Sequence, residues 1–402
     1  MEKKNIAFIL PRLSNGGMER IAAALSKEII NNYNLIIISL FEDRDKYDFV
    51  GEIIEINKTI EKSFIGKILN FLERIKKIDK IKREKNIDLT LSFEQTCNLL
   101  NLLTGREKKV ISIHSIKSRE NLSIGIYGKI YNFLMKILYK KSDKIICVSE
   151  GIKKDLNLNY GLDLNRIEVI YNPNDLKFIT NNLKNIKKEK NNYEVINVGR
   201  LDVAKGQRYL LKIISLVKKE LPNIKLKILG KGNLESELKE LSKKLSLEEN
   251  VEFLGYINNP YKEIEKADLF VLSSLYEGFP GVLVESLICK TPIISTDCVY
   301  GIREILLSEE ELKKIGYNEI KESLYGTYGI ICPKLKIGNN LNEFSLEYTE
   351  EEKLIAKEII KLLKDKNLRE KYQEKGLERA KKLDTSIIAQ KYNELFEKTL
   401  DI

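Results

Sequence analysis

The sequence predicts an α/β protein made of two doubly wound domains in tandem. Three observations predict it. Short apolar, β-branched runs alternate with longer amphipathic stretches. The alternation stops over a polar, Lys/Asn-rich segment at 174–192 and then restarts. The length, 402 residues, suits two domains rather than one large one. Strand-like runs that are apolar throughout belong to strands buried on both faces, hence to a parallel sheet covered by helices.

Taken in order, Ile6–Leu10 is the first strand, followed by the loop PRLSNGGMER and a helix from about Met18 to Ile30. Leu35–Leu40 is the second strand, and a basic amphipathic helix runs from about Ile65 to Lys85. Leu89–Ser92, Val110–Ile113, Lys144–Val148 and Ile167–Tyr171 are further short buried strands. After the linker come a strand at Val195–Val198, a helix at Gln207–Leu221 and a strand at Lys225–Leu229. A helix at Leu234–Leu245, a strand at Val251–Leu254 and a helix near Tyr261–Lys266 follow, then strands at Leu269–Leu272 and Pro292–Thr296. The tail from about Ser345 reads as helical, broken near Leu383-Asp384. The predicted domains are therefore 1–173 and 193–380, with 174–192 as linker and 381–402 as a helix returning to the first domain.

The bulk numbers exclude several classes. Hydrophobic residues make up 43% and charged residues 32%, ordinary for a soluble, helix-rich chain. The net charge of +10 is concentrated in residues 1–175, which points toward a polyanion or an anionic membrane surface. No aromatic-interleaved basic patch supports nucleic acid as the partner. The five cysteines (Cys97, Cys147, Cys289, Cys298, Cys332) form no CxxC pair and no metal-ligand spacing with histidine. They read as buried, reduced thiols of a cytosolic protein, without a metal site. Pro11 comes too soon for a signal peptide, and Leu35–Leu40 is far short of a membrane span.

The most informative stretch is VLSSLYEGFPGVLVESL, residues 271–287. A buried strand ends, the chain turns through Gly-Phe-Pro-Gly, and a helix starts back over the strand's end. Glu277 lies in the loop and Glu285 in the first helical turns. In an open α/β sheet ligands bind at the carboxyl ends of strands, and helix N-termini attract anions. Carboxylates beside such a site suit sugar hydroxyls, because charged acceptors make the stronger hydrogen bonds. In NVGRLDVAKGQ, residues 197–207, Arg200 and Lys205 share another loop between strand and helix. Two cations so placed suit a diphosphate. His114, the only histidine, follows the strand at 110–113 and is expected at the same kind of edge.

The order G-R-L-x-x-x-K-G, I-L-G-x-G, F-L-G and E-G-F-P-x-x-x-x-E resembles family 4 of the retaining nucleotide-sugar glycosyltransferases. The similarity extends to Gly16-Gly17-Met18-Glu19-Arg20, to SDKIICVSEGIKKDL (142–156) and to VIYNPND (169–175), nearly the whole chain. It implies two Rossmann-like domains facing across a cleft, the GT-B fold. It implies that Arg200 and Lys205 hold the pyrophosphate of a UDP-sugar and stabilise the leaving nucleotide, with no metal or other cofactor. Glu285 would take the ribose hydroxyls and Glu277 those of the donor sugar. Gly16 and Gly17 would let backbone approach the phosphates. Gly255 and Tyr256 would meet the base, and Gly281 would place its amide near the transferred sugar. His114 would donate a hydrogen bond or position the acceptor, without acting as base.

The resemblance also implies an acceptor that is lipid-linked or part of a surface polysaccharide. FLGYINNPYKEI (253–264) and the TDC-x-x-G-x-REIL run are similar to enzymes that add N-acetylhexosamines, favouring a UDP-N-acetylhexosamine donor. The segments 65–85 and 123–141 combine apolar helical faces with lysines, suiting either the core or the inner face of the cytoplasmic membrane. Alternatives are a nucleotide-sugar epimerase or a soluble glucan synthase of the same fold. A basic nucleic-acid-binding protein is the alternative from another class. An epimerase would need extra acidic and histidine residues that are missing here. Glu304 in Gly301-Ile-Arg-Glu304 matches a family element and is equally explained as a cap. Residues 308–325 depart from the family, being longer and more charged than its usual connection.

Overall fold

The computed structural model describes residues 3–14, 16–57, 64–123, 125–183, 193–336 and 344–402. The chain divides into two compact units, Met1–Asn174 with Leu383–Ile402, and Asp175–Lys382. Of the stretch read from sequence as linker, Leu176–Asn181 is a helix belonging to the second unit, and 184–192 lie outside the described residues. Asp175 caps that helix, accepting a hydrogen bond from Phe178 N, and the Phe178 ring meets Tyr261 edge-on at 6.2 Å.

In the first unit the strands are β1 (Asn5–Leu10), β2 (Asn34–Phe41), β3 (Glu52–Asn57), β4 (Leu89–Phe93), β5 (Lys108–Ile113), β6 (Lys144–Cys147) and β7 (Ile167–Val169). They form one sheet in the order β3-β2-β1-β4-β5-β6-β7, parallel throughout. Ile6, Phe8, Ile9 and Leu10 are fully buried, as a strand sandwiched between helix layers must be. Helix Thr385–Leu400 packs on helix Gly17–Ile29, with the rings of Tyr33 and Phe396 6.0 Å apart. It is anchored where Asn174 and Leu383–Thr385 exchange backbone hydrogen bonds of 3.0 and 3.1 Å.

In the second unit the strands are β8 (Glu194–Val198), β9 (Lys225–Leu229), β10 (Val251–Gly255), β11 (Leu269–Leu272), β12 (Ile293–Thr296), β13 (Leu324–Tyr325) and β14 (Ile330–Cys332). Their order is β10-β9-β8-β11-β12-β14-β13, parallel except for β13 against β14. Val195, Leu226, Leu269 and Ile294 carry its core. Strands β3, β13 and β14 are additions to the sequence reading. β3 is an edge strand with exposed Ile53, and β13 and β14 are only two and three residues long, below the length at which periodicity registers.

The order of each sheet switches direction at its centre, between β1 and β4 and between β8 and β11. At such a switch point the loops leave in opposite directions and open a crevice at the carboxyl edge. The loops in question are 11–14 with Gly16, and Glu94, in the first unit, and 199–206 and 273–280 in the second.

Candidate functional site

The crevice of the second sheet is built by glycines that let its loops touch. At Gly206, φ is +63° and an added Cβ would lie 2.1 Å from the carbonyl oxygen of Ser273. The loops after β8 and β11 therefore meet backbone to backbone, with Leu275 N donating to Ala204 O at 2.8 Å and Ser273 Oγ to Lys205 O at 3.0 Å. Gly301 seals the opposite flank, its φ +70° and its Cβ position 2.1 Å from Gly278 O. No L-side chain fits at either place without moving backbone.

This packing presents Lys205 and Glu277 to each other. Asp202 ends β8's loop with a cap on Lys205 N (3.3 Å), and Lys205 Nζ donates to Glu277 Oε1 at 2.6 Å. Ser274 Oγ donates to the same oxygen at 2.6 Å. Both charged side chains are largely shielded, 21% and 10% exposed, so their attraction is poorly screened. A pair in this state is neutral overall and can be opened by a ligand that offers phosphate to the lysine and hydroxyl to the glutamate.

Arg200 is placed differently. Its side chain is 80% exposed and pairs with Asp202 at 3.3 Å. The Tyr276 hydroxyl is raised in pKa first by burial and then by Asp202, with Arg200, Glu277 and Lys205 as further nearby charges. Glu285 is buried in helix Gly281–Ile288, which starts directly after Pro280. Gly255 ends β10 with φ +68°, followed by exposed Tyr256. Sequence reasoning passed over Asp202, Ser274 and Tyr276. All three flank a named residue at the end of a buried strand, which is the signal that would have found them.

The crevice of the first sheet carries acids. Gly16 precedes helix Gly17–Ile29, and an added Cβ there would lie 1.8 Å from Glu19 Oε2, so the glutamate folds back over the glycine. Nothing lies within 4 Å of a Cβ at Gly17. Burial, aided by Asp43 and Glu94, raises the pKa of Glu19. Asp43 is taken by Leu13 N (2.6 Å) and Arg12 (3.0 Å). Glu94, also missed from sequence, ends β4 at φ +75°, ψ 154°, and caps helix Gln95–Leu103 by accepting from Thr96 N at 2.8 Å. A positive φ is uncommon for any residue but glycine and marks a conformation held by its surroundings.

His114 follows β5 at this edge. Its Nε2 lies 2.9 Å from Ser112 Oγ, and its ring is 5.9 Å from that of Phe93. Burial, then the nearby Lys117 ammonium, pushes its pKa down to about 4, while a hydrogen bond with Asn172 opposes the shift. The imidazole is therefore neutral at physiological pH. Among the described residues no group of three or more His, Cys, Asp or Glu could hold a metal ion. The five cysteines are buried and in no disulfide, and burial raises the thiol pKa of Cys97, Cys289, Cys298 and Cys332.

Two sheets of seven strands, parallel but for β13 and each with a central switch point, make the GT-B fold. The chain belongs to glycosyltransferase family 4: residues 15–178 match Glycosyltransferase Family 4 and residues 178–317 match Glycosyl transferases group 1. It is 35% identical to an uncharacterized glycosyltransferase of Methanocaldococcus jannaschii, over 82% of this chain and 84% of that one. It is 31% identical to the N-acetylgalactosamine-N,N'-diacetylbacillosaminyl-diphospho-undecaprenol 4-alpha-N-acetylgalactosaminyltransferase of Campylobacter jejuni, over 76% of this chain and 84% of that one. Among solved structures, Anabaena HepE in complex with UDP and glucose aligns with TM-score 0.73 at 17% identity, covering 98% of this chain and all of that one. TarM aligns with TM-score 0.74 at 15% identity, covering 98% of each.

Proposed function

We propose that this glycosyltransferase moves an N-acetylhexosamine, or a hexose, from a UDP-sugar to a lipid-linked or surface-polysaccharide glycan with retention of configuration. The observation that carries the reading is the Lys205–Glu277 contact at the second sheet's switch point. The lysine takes the diphosphate and the released carboxylate takes hydroxyls of the sugar. Arg200, exposed and paired with Asp202, adds a second cation. As the bond from sugar C1 to the phosphate oxygen breaks, negative charge collects on the diphosphate, and preformed cations stabilise it. The acceptor oxygen then bonds C1 on the same face, and its proton passes to the departing phosphate. Glu285 serves the ribose, Gly255 and Tyr256 the base, and the Gly281 amide the sugar. In the first unit Gly16, Gly17 and His114 serve phosphate approach and acceptor placement, with neutral His114 as a hydrogen-bonding group.

Two relatives support the choice of substrate class. The Campylobacter enzyme is named for transferring N-acetylgalactosamine to a diphospho-undecaprenol glycan, and HepE is bound to UDP. No helix among the described residues is long and apolar enough to cross a membrane. Helix Gly125–Leu138, however, leaves Ile126, Tyr127, Ile130, Phe133 and Ile137 exposed beside Lys129 and Lys136. Such a face suits peripheral binding to anionic lipid at the inner face of the cytoplasmic membrane, where a polyprenyl-linked acceptor would be met.

Incubating the protein with a panel of UDP-sugars and following slow release of UDP tests the donor. UDP release from at least one sugar, abolished in Glu277→Ala, is expected; no release from any of them would sink the reading. Co-sedimentation with vesicles containing phosphatidylglycerol tests the membrane face, with binding lost in Phe133→Ser.

A further inference from the structure

Residues 308–325, the departure from the family pattern, have a defined place in the second unit. Helix Glu309–Ile315 is closed by a Ser308/Glu311 capping box, and the following loop returns to Arg303. Arg303 is fully buried. Its Nε and one terminal nitrogen hold Asp297 at 3.0 and 2.5 Å. Its terminal nitrogens also donate to Gly316 O at 2.8 Å and Asn318 O at 2.6 Å. A buried guanidinium with its hydrogen bonds spent on four acceptors fixes the loop as firmly as a strand would.

What the clamp positions is Tyr317. Its ring lies 4.9 Å from that of Tyr300 at an interplanar angle of 39°, and both residues are partly exposed. Tyr300 sits on a strained turn: Val299 has φ +68°, a genuine outlier for a β-branched residue, and its N–H donates to Asp297 Oδ1 at 2.9 Å. Asp297 thus fixes both the strained turn and Arg303. The turn is stapled to the Glu277 loop, with Cys298 Sγ 3.1 Å and Thr296 Oγ1 2.6 Å from Ser274 O, and Gly301 against Gly278. Cys298 also senses the charges of Glu277 and Lys205. An aromatic pair is therefore held by buried ionic chemistry on the flank of the carboxylate assigned to the sugar.

We infer that the Tyr300–Tyr317 pair is an apolar wall for the 2-acetamido group of the donor sugar, selecting UDP-N-acetylhexosamines over UDP-hexoses. The inference rests on the donor-site reading above. Hydroxyls of either sugar class are served by a carboxylate such as Glu277. The classes differ by an amide and a methyl, and a methyl gains from a dry aromatic face, whereas a hydroxyl at that position gains nothing. One or two buried carbons set an upper range of about 10–200-fold in discrimination.

The test is kcat/KM for hydrolysis of UDP-N-acetylglucosamine and UDP-N-acetylgalactosamine against UDP-glucose and UDP-galactose by the full chain. Wild type, Tyr317→Ala, Tyr317→Phe, Tyr300→Ala and Glu277→Ala are compared, with thermal midpoints to verify folding. The expected result is a wild-type preference for acetamido sugars of at least roughly tenfold. Tyr317→Ala should cut it roughly tenfold with hexose hydrolysis unchanged, and Tyr317→Phe should keep it. If Tyr300→Ala fails to fold, Tyr317→Ala, in a surface loop, decides alone. A wild type without preference, or an unchanged ratio in Tyr317→Ala, overturns the inference while leaving the donor site standing. Wild-type hydrolysis by Glu277→Ala overturns the donor site itself, and this inference with it.

Discussion

At the carboxyl edge of the second sheet a lysine and a glutamate meet at 2.6 Å, with an arginine in reserve. At the same edge of the first sheet stand Glu19, Asp43, Glu94 and a neutral histidine. The cations there, Arg12 and Lys117, are already tied to Asp43 and Glu120. The strand orders match through the five strands that frame each switch point, β3-β2-β1-β4-β5 and β10-β9-β8-β11-β12, so topology does not cause the difference. It shows that a switch point supplies a crevice, and that the loop residues decide what enters it. Lys205 is the stronger attraction for a diphosphate, leaving the first edge only backbone approach at Gly16 and Gly17, whereas hydroxyls are well served by acids and a neutral imidazole. Charge thus supports the proposal that the donor binds the second unit and the acceptor the first.

The largest expected break of that contrast is Lys205→Ala. Removing a preformed positive group from the developing phosphate charge should lower kcat by about 10²–10³-fold. A thermal midpoint close to that of wild type would show the fold intact. The converse change in the first unit, Glu94→Gln, should leave donor hydrolysis near wild type. If UDP release responds equally to both substitutions, the division of labour is wrong.

Next in size are the glycines. Gly206→Ala places a Cβ 2.1 Å from Ser273 O at a positive φ, and should cost about 2–3 kcal/mol of stability in urea unfolding. Gly17→Ala meets nothing within 4 Å and should change stability by less than about 0.5 kcal/mol. A loss of activity in Gly17→Ala without loss of stability would mark close backbone approach by substrate. Equal destabilisation by the two would remove the distinction between a glycine needed for packing and one left open.

Most of the second crevice is legible in the chain, because its parts are continuous in sequence. Strand, glycine, cation and helix recur in one short window at 195–207, and strand, acid, turn and helix in another at 269–287. The pairing of Lys205 with Glu277 is not legible, since the two are 72 residues apart and only the sheet order brings their loops together. Nor does sequence show that Arg200 turns outward to Asp202, because rotamers depend on surrounding packing. In the first crevice Glu94 is invisible for another reason. A glutamate after a buried strand looks like ordinary solvation, and its positive φ belongs to the fold alone. The short strands β13 and β14 are too brief for a period to register, and the Arg303 clamp joins residues 6, 13 and 15 positions away that no local pattern links.

Glu94 offers a smaller test. At φ +75° an alanine keeps the strain and loses the cap on Thr96 N, whereas a glycine loses the cap but sits at ease. Glu94→Gly should therefore be more stable than Glu94→Ala by about 1–2 kcal/mol in urea unfolding. Equal stabilities would show that the backbone there is unstrained.

The last test is a pH slope that belongs to the first edge. His114 has a folded pKa of about 4, below its ordinary value near 6.5, because burial and Lys117 oppose the imidazolium. The unfolded chain thus binds the proton more readily. The contribution to stability is complete above about pH 6.5 and is lost as pH falls toward 4. Glu19, raised by burial, works in the opposite sense, its contribution being present at low pH and lost as pH rises through its folded pKa. Comparing wild type with His114→Gln isolates the histidine, since the glutamate is common to both. The difference in unfolding midpoint should be constant above pH 6.5 and shrink between pH 6 and 4.5. A difference that grows over that interval would mean that the imidazole is charged in the folded protein, and the first crevice would then hold a cation where this account places a neutral group.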